Sequence, residues 1–181
     1  MVNIEQQLFP EPYIILLEQL KPFTIGHYSL LKRLNISKGN LEQPGTLLTA
    51  VYICKYPPYD SWQKLQTGEF FDWKNKKFKW AKKKKIDWKE ESLIFLSYLE
   101  ENSRHFNYWV KEDAKSQTSD ENVFLGQMIV QGLKIGLKFN DIINELPFGL
   151  LLSLILVDLN NNGVLKIKTK EDEELSKLLK P

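Results

Sequence analysis

The sequence predicts a mainly α protein, a helical bundle carrying a small β element. Three observations lead there: apolar residues recur at helical spacing through most of the chain, cap-like residues open several of those stretches, and only two short segments fit strand. With 181 residues, 43% of them hydrophobic, the chain suffices for a single domain with its own core.

Tyr13 to Leu20 lies between Pro12 and Pro22 and opens with aromatic and β-branched residues. Strand and short helix both fit it, and the opening composition favours strand. Thr24 stands where an N-cap belongs, ahead of Ile25, Tyr28, Leu31 and Leu34 at helical spacing, with Gly39 beyond them. Pro44 suits a first helical position and leads into Leu47, Leu48, Ala50, Val51, Ile53 and Cys54, a run apolar on most sides and therefore a central buried helix. Tyr56-Pro57-Pro58-Tyr59 ends it. The stretch at about 60–88 is dense in lysine and holds Trp62, Trp73, Trp80 and Trp88, four of the five tryptophans, and reads as a loop or excursion from the core.

Asp87, with Glu90 three residues on, makes a carboxylate version of the capping box for a helix whose inner face is expected to carry Leu96, Leu99, Phe106 and Val110. After a polar linker at 116–120, Thr118 and Glu121 form a second box ahead of Phe124, Met128, Val130, Leu133 and Leu137. Asn140-Asp141 opens a short helical segment that stops before Pro147, and the most apolar helix follows, closed by Asn160-Asn161-Asn162-Gly163. Val164 to Thr169 alternates as a half-buried strand does. The segments Tyr13–Leu17 and Val164–Lys168 are expected to pair with each other. An acidic tail, Glu171 to Glu174, comes last.

The chemistry-bearing residues are few. Cys54 is the lone cysteine, so the chain can form no internal disulfide and no cysteine-based zinc site, in keeping with a reducing, cytoplasmic compartment. Met1 to Glu5 has neither the positive start nor the apolar stretch of a secretory signal, and export is not expected. The apolar run Leu146 to Val157 is shorter than the ~20 residues a membrane span requires, so no membrane association is expected. His27 and His105 are the only histidines, and no metalloprotease, phosphate-loop or dinucleotide motif is present. Cys54 reads as a small core residue, His27 as structural, and Glu90-Glu91 and Glu100-Glu101 as solvated helix faces. Gly132 and Gly136 are four apart, a spacing that lets two helices approach closely. No catalytic residue, metal or cofactor is assigned.

One local anomaly stands out. From Lys74 to Lys85, lysines interleave with Trp73, Phe78 and Trp80, and Lys76, Lys77, Trp80, Lys82, Lys83, Lys84 and Lys85 together fit a surface that neutralises phosphates while rings stack on bases. A solvated or protein-facing run fits as well, with the acidic tail as a possible counterpart.

Leu20-Lys21-Pro22-Phe23-Thr24-Ile25-Gly26-His27 with Leu30-Leu31, followed by the Leu47-to-Cys54 helix, resembles the opening of small tail assembly chaperones of tailed bacteriophages and prophages. A glycine-bearing helix end at Gly132–Leu137, a short acidic helix at Asn140–Glu145 and a proline-led apolar helix from Leu146-Pro147-Phe148 to Leu159 resemble their ending. The resemblance covers about the first 55 residues and the last 60. It implies a non-enzymatic cytoplasmic protein of the bacterial host that coats the long tape-measure protein until tail tube subunits replace it. Independently of it, Phe148 to Leu159 supplies more apolar surface than one helix of a small bundle needs, which makes Phe148, Leu151, Leu152 and Ile155 the candidate protein-binding residues, shared with a partner or with another copy in a homo-oligomer. The alternative is a basic adaptor that binds nucleic acid through the lysine run.

Overall fold

The computed structural model describes residues 12–103, 108–110 and 121–167, with side chains at 108–110 and 121–124 outside the description. The fold is mainly α, with two small antiparallel strand pairs among the described residues. Among the described residues, no helix is long and apolar enough to cross a membrane.

Strands β1 (Ile14–Ile15) and β2 (Glu18–Gln19) form a hairpin. Its two-residue tip, Leu16-Leu17, has φ of 53° and 61°, the left-handed pair that a tight hairpin turn requires and that bulky residues disfavour. Contacts hold the tip in place: the Leu16 N–H donates to the Glu91 carboxylate at 3.0 Å and its carbonyl accepts from Lys77 Nζ at 3.0 Å.

Helix α1 (Ile25–Arg33) begins at Thr24, whose hydroxyl accepts from the His27 N–H while the His27 ring accepts from the Thr24 N–H. Helix α2 (Pro44–Lys55) has Pro44 in its first turn and buries every residue from Ala50 to Cys54. It is the axis of the core, as a run apolar on most sides predicts. Helix α3 (Pro58–Leu65) is clamped to the end of α2 by Ser61, whose hydroxyl donates to the Ile53 carbonyl at 2.6 Å.

The stretch at 60–88, expected as an excursion, is instead the end of α3 and the 17-residue helix α4 (Gly68–Lys84), packed against α2. The reason is its phase. Phe70, Trp73, Lys77, Trp80 and Ala81 fall on one side of a helix, where Phe70 and Ala81 are buried and Trp73 and Trp80 lie half-buried on the core. The acidic residue in its first turn and the lysines in its last complement the helix dipole.

Helix α5 (Trp88–Asn102) is capped by Asp87, which accepts from the N–H groups of Lys89 and Glu90. Its inner row is Ser92, Phe95, Tyr98 and Asn102, with Leu96 and Leu99 half-buried beside it. The helix therefore stops short of Phe106 and Val110. Phe106 lies outside the described residues, as do the Thr118 cap and the acidic tail, and Val110 belongs to strand β3 (Tyr108–Val110).

Helix α6 (Glu121–Lys134) runs to a turn at Gly136, where φ is +90°. A single π-helical turn (Asp141–Glu145) follows, and then α7 (Phe148–Asn161), whose first N–H donates to the Phe23 carbonyl at 2.7 Å. Gly132 is where α6 meets these elements: a Cβ there would lie 2.8 Å from Ile142 Cδ1, whereas one at Gly136 would meet nothing within 4 Å, so the approach depends on Gly132 and not on the four-residue spacing. Gly163, with φ of 71°, closes α7 and leads to β4 (Leu165–Ile167).

The expected pairing of the N-terminal and C-terminal strands does not occur. β1 pairs with β2, in register Ile14 with Gln19, and β4 pairs with β3, in register Val110 with Leu165. Closing a two-residue hairpin costs far less chain entropy than joining strands across the whole chain.

Candidate functional site

Among the described residues, His27, Cys54 and Tyr98 are titratable groups set in the interior. The His27 ring is buried, its Nδ1 accepts from the Thr24 N–H at 3.1 Å, and its Nε2–H donates to the Tyr56 carbonyl at 2.8 Å. Burial drives its pKa down to about 4, against a smaller upward pull from the Tyr56 carbonyl, so the ring is neutral at pH 7. The Thr24 hydroxyl donates to the Ile143 carbonyl at 2.8 Å. Gly26 makes room for this junction, since a Cβ there would lie 2.7 Å from the Ile143 carbonyl oxygen and 2.7 Å from Pro58. Thr24 and His27 together thus pin α1 to the π-helical turn, through the Thr24 hydroxyl, and to the α2–α3 turn, through the His27 ring.

Cys54 is fully buried, and burial pushes its thiol up to about 12, opposed by a hydrogen bond with Tyr98. A thiol held protonated in this way is a poor nucleophile. Tyr98 is also raised by burial, and its hydroxyl donates to the Lys21 carbonyl at 2.8 Å. Tyr98 and Asn102 line a cleft of about 190 Å³ beside Tyr13 and Pro22, where Asn102 already accepts from the Phe23 N–H and donates to the Tyr98 carbonyl. Among the described residues, no group of three or more His, Cys, Asp or Glu side chains is placed to hold a metal.

A second polar centre anchors the hairpin. Glu18 pairs with Lys55 of α2 at 2.7 Å and with Lys77 of α4, and accepts from the Trp73 indole N–H at 3.3 Å. Burial alone raises the Glu18 carboxyl, but the hydrogen bonds and charges of the two lysines outweigh it and leave the pKa below the usual carboxylate value. Burial opposes the charge on Lys55 too, and Glu18 reverses that effect, so its pKa is raised. Lys77 also lies over the Trp73 and Trp80 rings, 5.9 and 5.1 Å from their centroids.

These contacts divide the lysine run. Lys77 and Trp80, two of the candidate nucleic-acid residues, face inward and are committed to the hairpin and the core. Lys76 and Lys82 to Lys85 are exposed. The rings that reach solvent are Phe71, 62% exposed, and Phe78, 43% exposed and stacked on Trp88 at 6.0 Å. Sequence reasoning missed Phe71, although a helical phase carried through the segment places it outward.

The apolar candidates on α7 divide the same way. Phe148, Leu151 and Ile155 are buried, and Leu152 is half-buried against the core. Their i, i+3, i+4, i+7 spacing marks the stripe that faces the domain interior, so they do not form a free docking surface. Among the described side chains, the exposed large apolar residues of α7 are Leu154 and Val157, 36% and 39% exposed, and those of α6 are Val130 and Leu133, 50% and 45% exposed.

No protein-family model, curated protein or solved structure matches this chain.

Proposed function

We propose that this chain is a non-enzymatic binding protein that shields an extended helical partner, as a tail assembly chaperone of a tailed phage or prophage does for its tape-measure protein. The observation that carries the reading is the outward apolar surface of the two packed helices α6 and α7, where Val130 with Leu133 and Leu154 with Val157 each stand three residues apart. Residues three apart lie on one side of a helix, and such pairs suit the apolar stripe of a partner helix. Shallow pairs of this kind give weak contacts, which a long partner coated by many copies multiplies. The sequence resemblance at both ends of the chain supplies the identity of the partner.

The test is co-expression with a tape-measure protein, in a genome that encodes one beside this chain. The intact protein should keep that partner soluble, and Leu154→Glu should remove the effect while circular dichroism shows an unchanged fold. Failure to bind or solubilise any neighbouring tail protein sinks the reading.

The second reading, a basic adaptor for nucleic acid, draws on the exposed Lys76 and Lys82 to Lys85. The inward setting of Trp73 and Trp80 removes two of the rings it would stack on bases.

A further inference from the structure

We propose that this chain self-associates, the lysine-rich outer face of α4 in one copy seating the acidic outer face of α5 in a second copy. The inference does not rest on the chaperone reading.

The outer face of α4 combines two exposed rings with unpaired positive charge. Phe71 and Phe78 are seven residues apart, hence on one edge of that face. Lys76, Lys79, Lys82 and Lys83 cover the rest of it, all exposed, and none makes an ion pair among the described residues. The outer face of α5 has the opposite sign. Leu93 and Ile94 are 55% and 37% exposed, with Glu90 before them and Glu100 and Glu101 after them, all three exposed, and Lys89 is an exposed positive charge on the same face, which stays net acidic. A single exposed leucine or phenylalanine requires no explanation. Apolar residues framed by lysine on one helix and by glutamate on the next make a matched pair.

The match is not satisfied within one copy. α4 and α5 make little contact with each other along their lengths and meet near the turn, where Phe78 stacks on Trp88. Each copy therefore presents both halves, and two copies related by a two-fold axis use the pairing twice. The net charge of +2 sets up little overall repulsion between copies.

Nucleic acid is the competing occupant of the lysine face, and two features disfavour it. Asp72 heads the row continued by Lys76, Lys79 and Lys83, so a uniformly negative strand following that row meets a carboxylate at one end. A nucleic acid also leaves the apolar and acidic face of α5 without a partner.

Sedimentation equilibrium of the full chain tests the proposal. The wild type should form a dimer that weakens as salt rises from about 0.1 M to about 1 M, because the Debye length falls from about 10 Å to about 3 Å. Lys79→Glu with Lys83→Glu, and separately Glu90→Lys with Glu101→Lys, should each weaken self-association about tenfold or more, since each sets like charges face to face. Mixing the two variants should restore a one-to-one complex, an outcome that misfolding of either cannot produce. A wild type that stays monomeric at all concentrations overturns the proposal, and so does a dimer indifferent to both reversals. Binding of single-stranded oligothymidylate by a monomer, lost in the Lys79 and Lys83 variant, reassigns the α4 face to nucleic acid and overturns it equally.

Discussion

Replacing Glu18 by glutamine keeps the shape of the side chain and removes the charge that fastens the hairpin to α2 and α4. Breaking a fully buried ion pair by removing one partner costs about 3–5 kcal/mol. Here the Glu18 side chain is 13% exposed, Lys55 27% and Lys77 16%, so both lysines can recover part of their hydration once the carboxylate is gone. Loss of about 2–3 kcal/mol is therefore expected for Glu18→Gln, and for a chain of this size that lowers the melting temperature by about 5–10 °C. The difference between wild type and variant should also depend on pH. The folded-state pKa of Glu18 lies below its ordinary value of 4.5, so its contribution is complete above that value and lost as pH falls through the folded value. Lys55 is raised above 10.5, so its contribution is complete below that value and lost as pH rises through the folded one. Urea unfolding of both proteins across this range, followed by circular dichroism, should show a difference that is constant near neutrality and shrinks in acid. A variant within about 0.5 kcal/mol of wild type at pH 7 would refute the anchoring role.

Two further outcomes follow from the interior. Gly26→Ala sets a methyl group against the Ile143 carbonyl and Pro58, and should destabilise by about 1–3 kcal/mol, whereas Gly126→Ala, with nothing within 4 Å of the new Cβ, should stabilise by up to about 1 kcal/mol through helix propensity; chemical denaturation of the pair measures both signs. His27 has its pKa lowered from 6.5 to about 4, so the stability it contributes is complete above 6.5 and is lost as pH falls toward 4. Ring resonances followed by NMR should show His27 still neutral at pH 5.5, and a titration near 6.5 would contradict its buried, doubly hydrogen-bonded setting.

The starts of α1, α2 and α5, the close of α7 and the burial of α2 were legible in the amino-acid sequence alone, because they depend on neighbours within a few residues. Thr24 and Asp87 cap helices by accepting backbone N–H groups two or three positions on, Pro44 opens α2, and Gly163 closes α7. The inert setting of Cys54 was legible too, since a small side chain in a helix apolar on most sides is most often buried. The stretch at 60–88 was misread because its lysines mask a periodic inner face, and that face gains meaning only when α2 and the hairpin are there to receive Trp73, Lys77 and Trp80. The candidate stripe on α7 was correctly seen as apolar, but composition cannot say which side of an apolar helix the rest of the domain covers. Phe23, Tyr28 and Gly132, distant in sequence, cover Phe148 and Leu151 and leave Leu154 and Val157 outside. Strand pairing was decided by the same kind of long-range choice. Local hydrogen bonding and periodicity set what each segment is, while the partner it meets, and so the surface it leaves free, is set by packing between segments far apart in the chain.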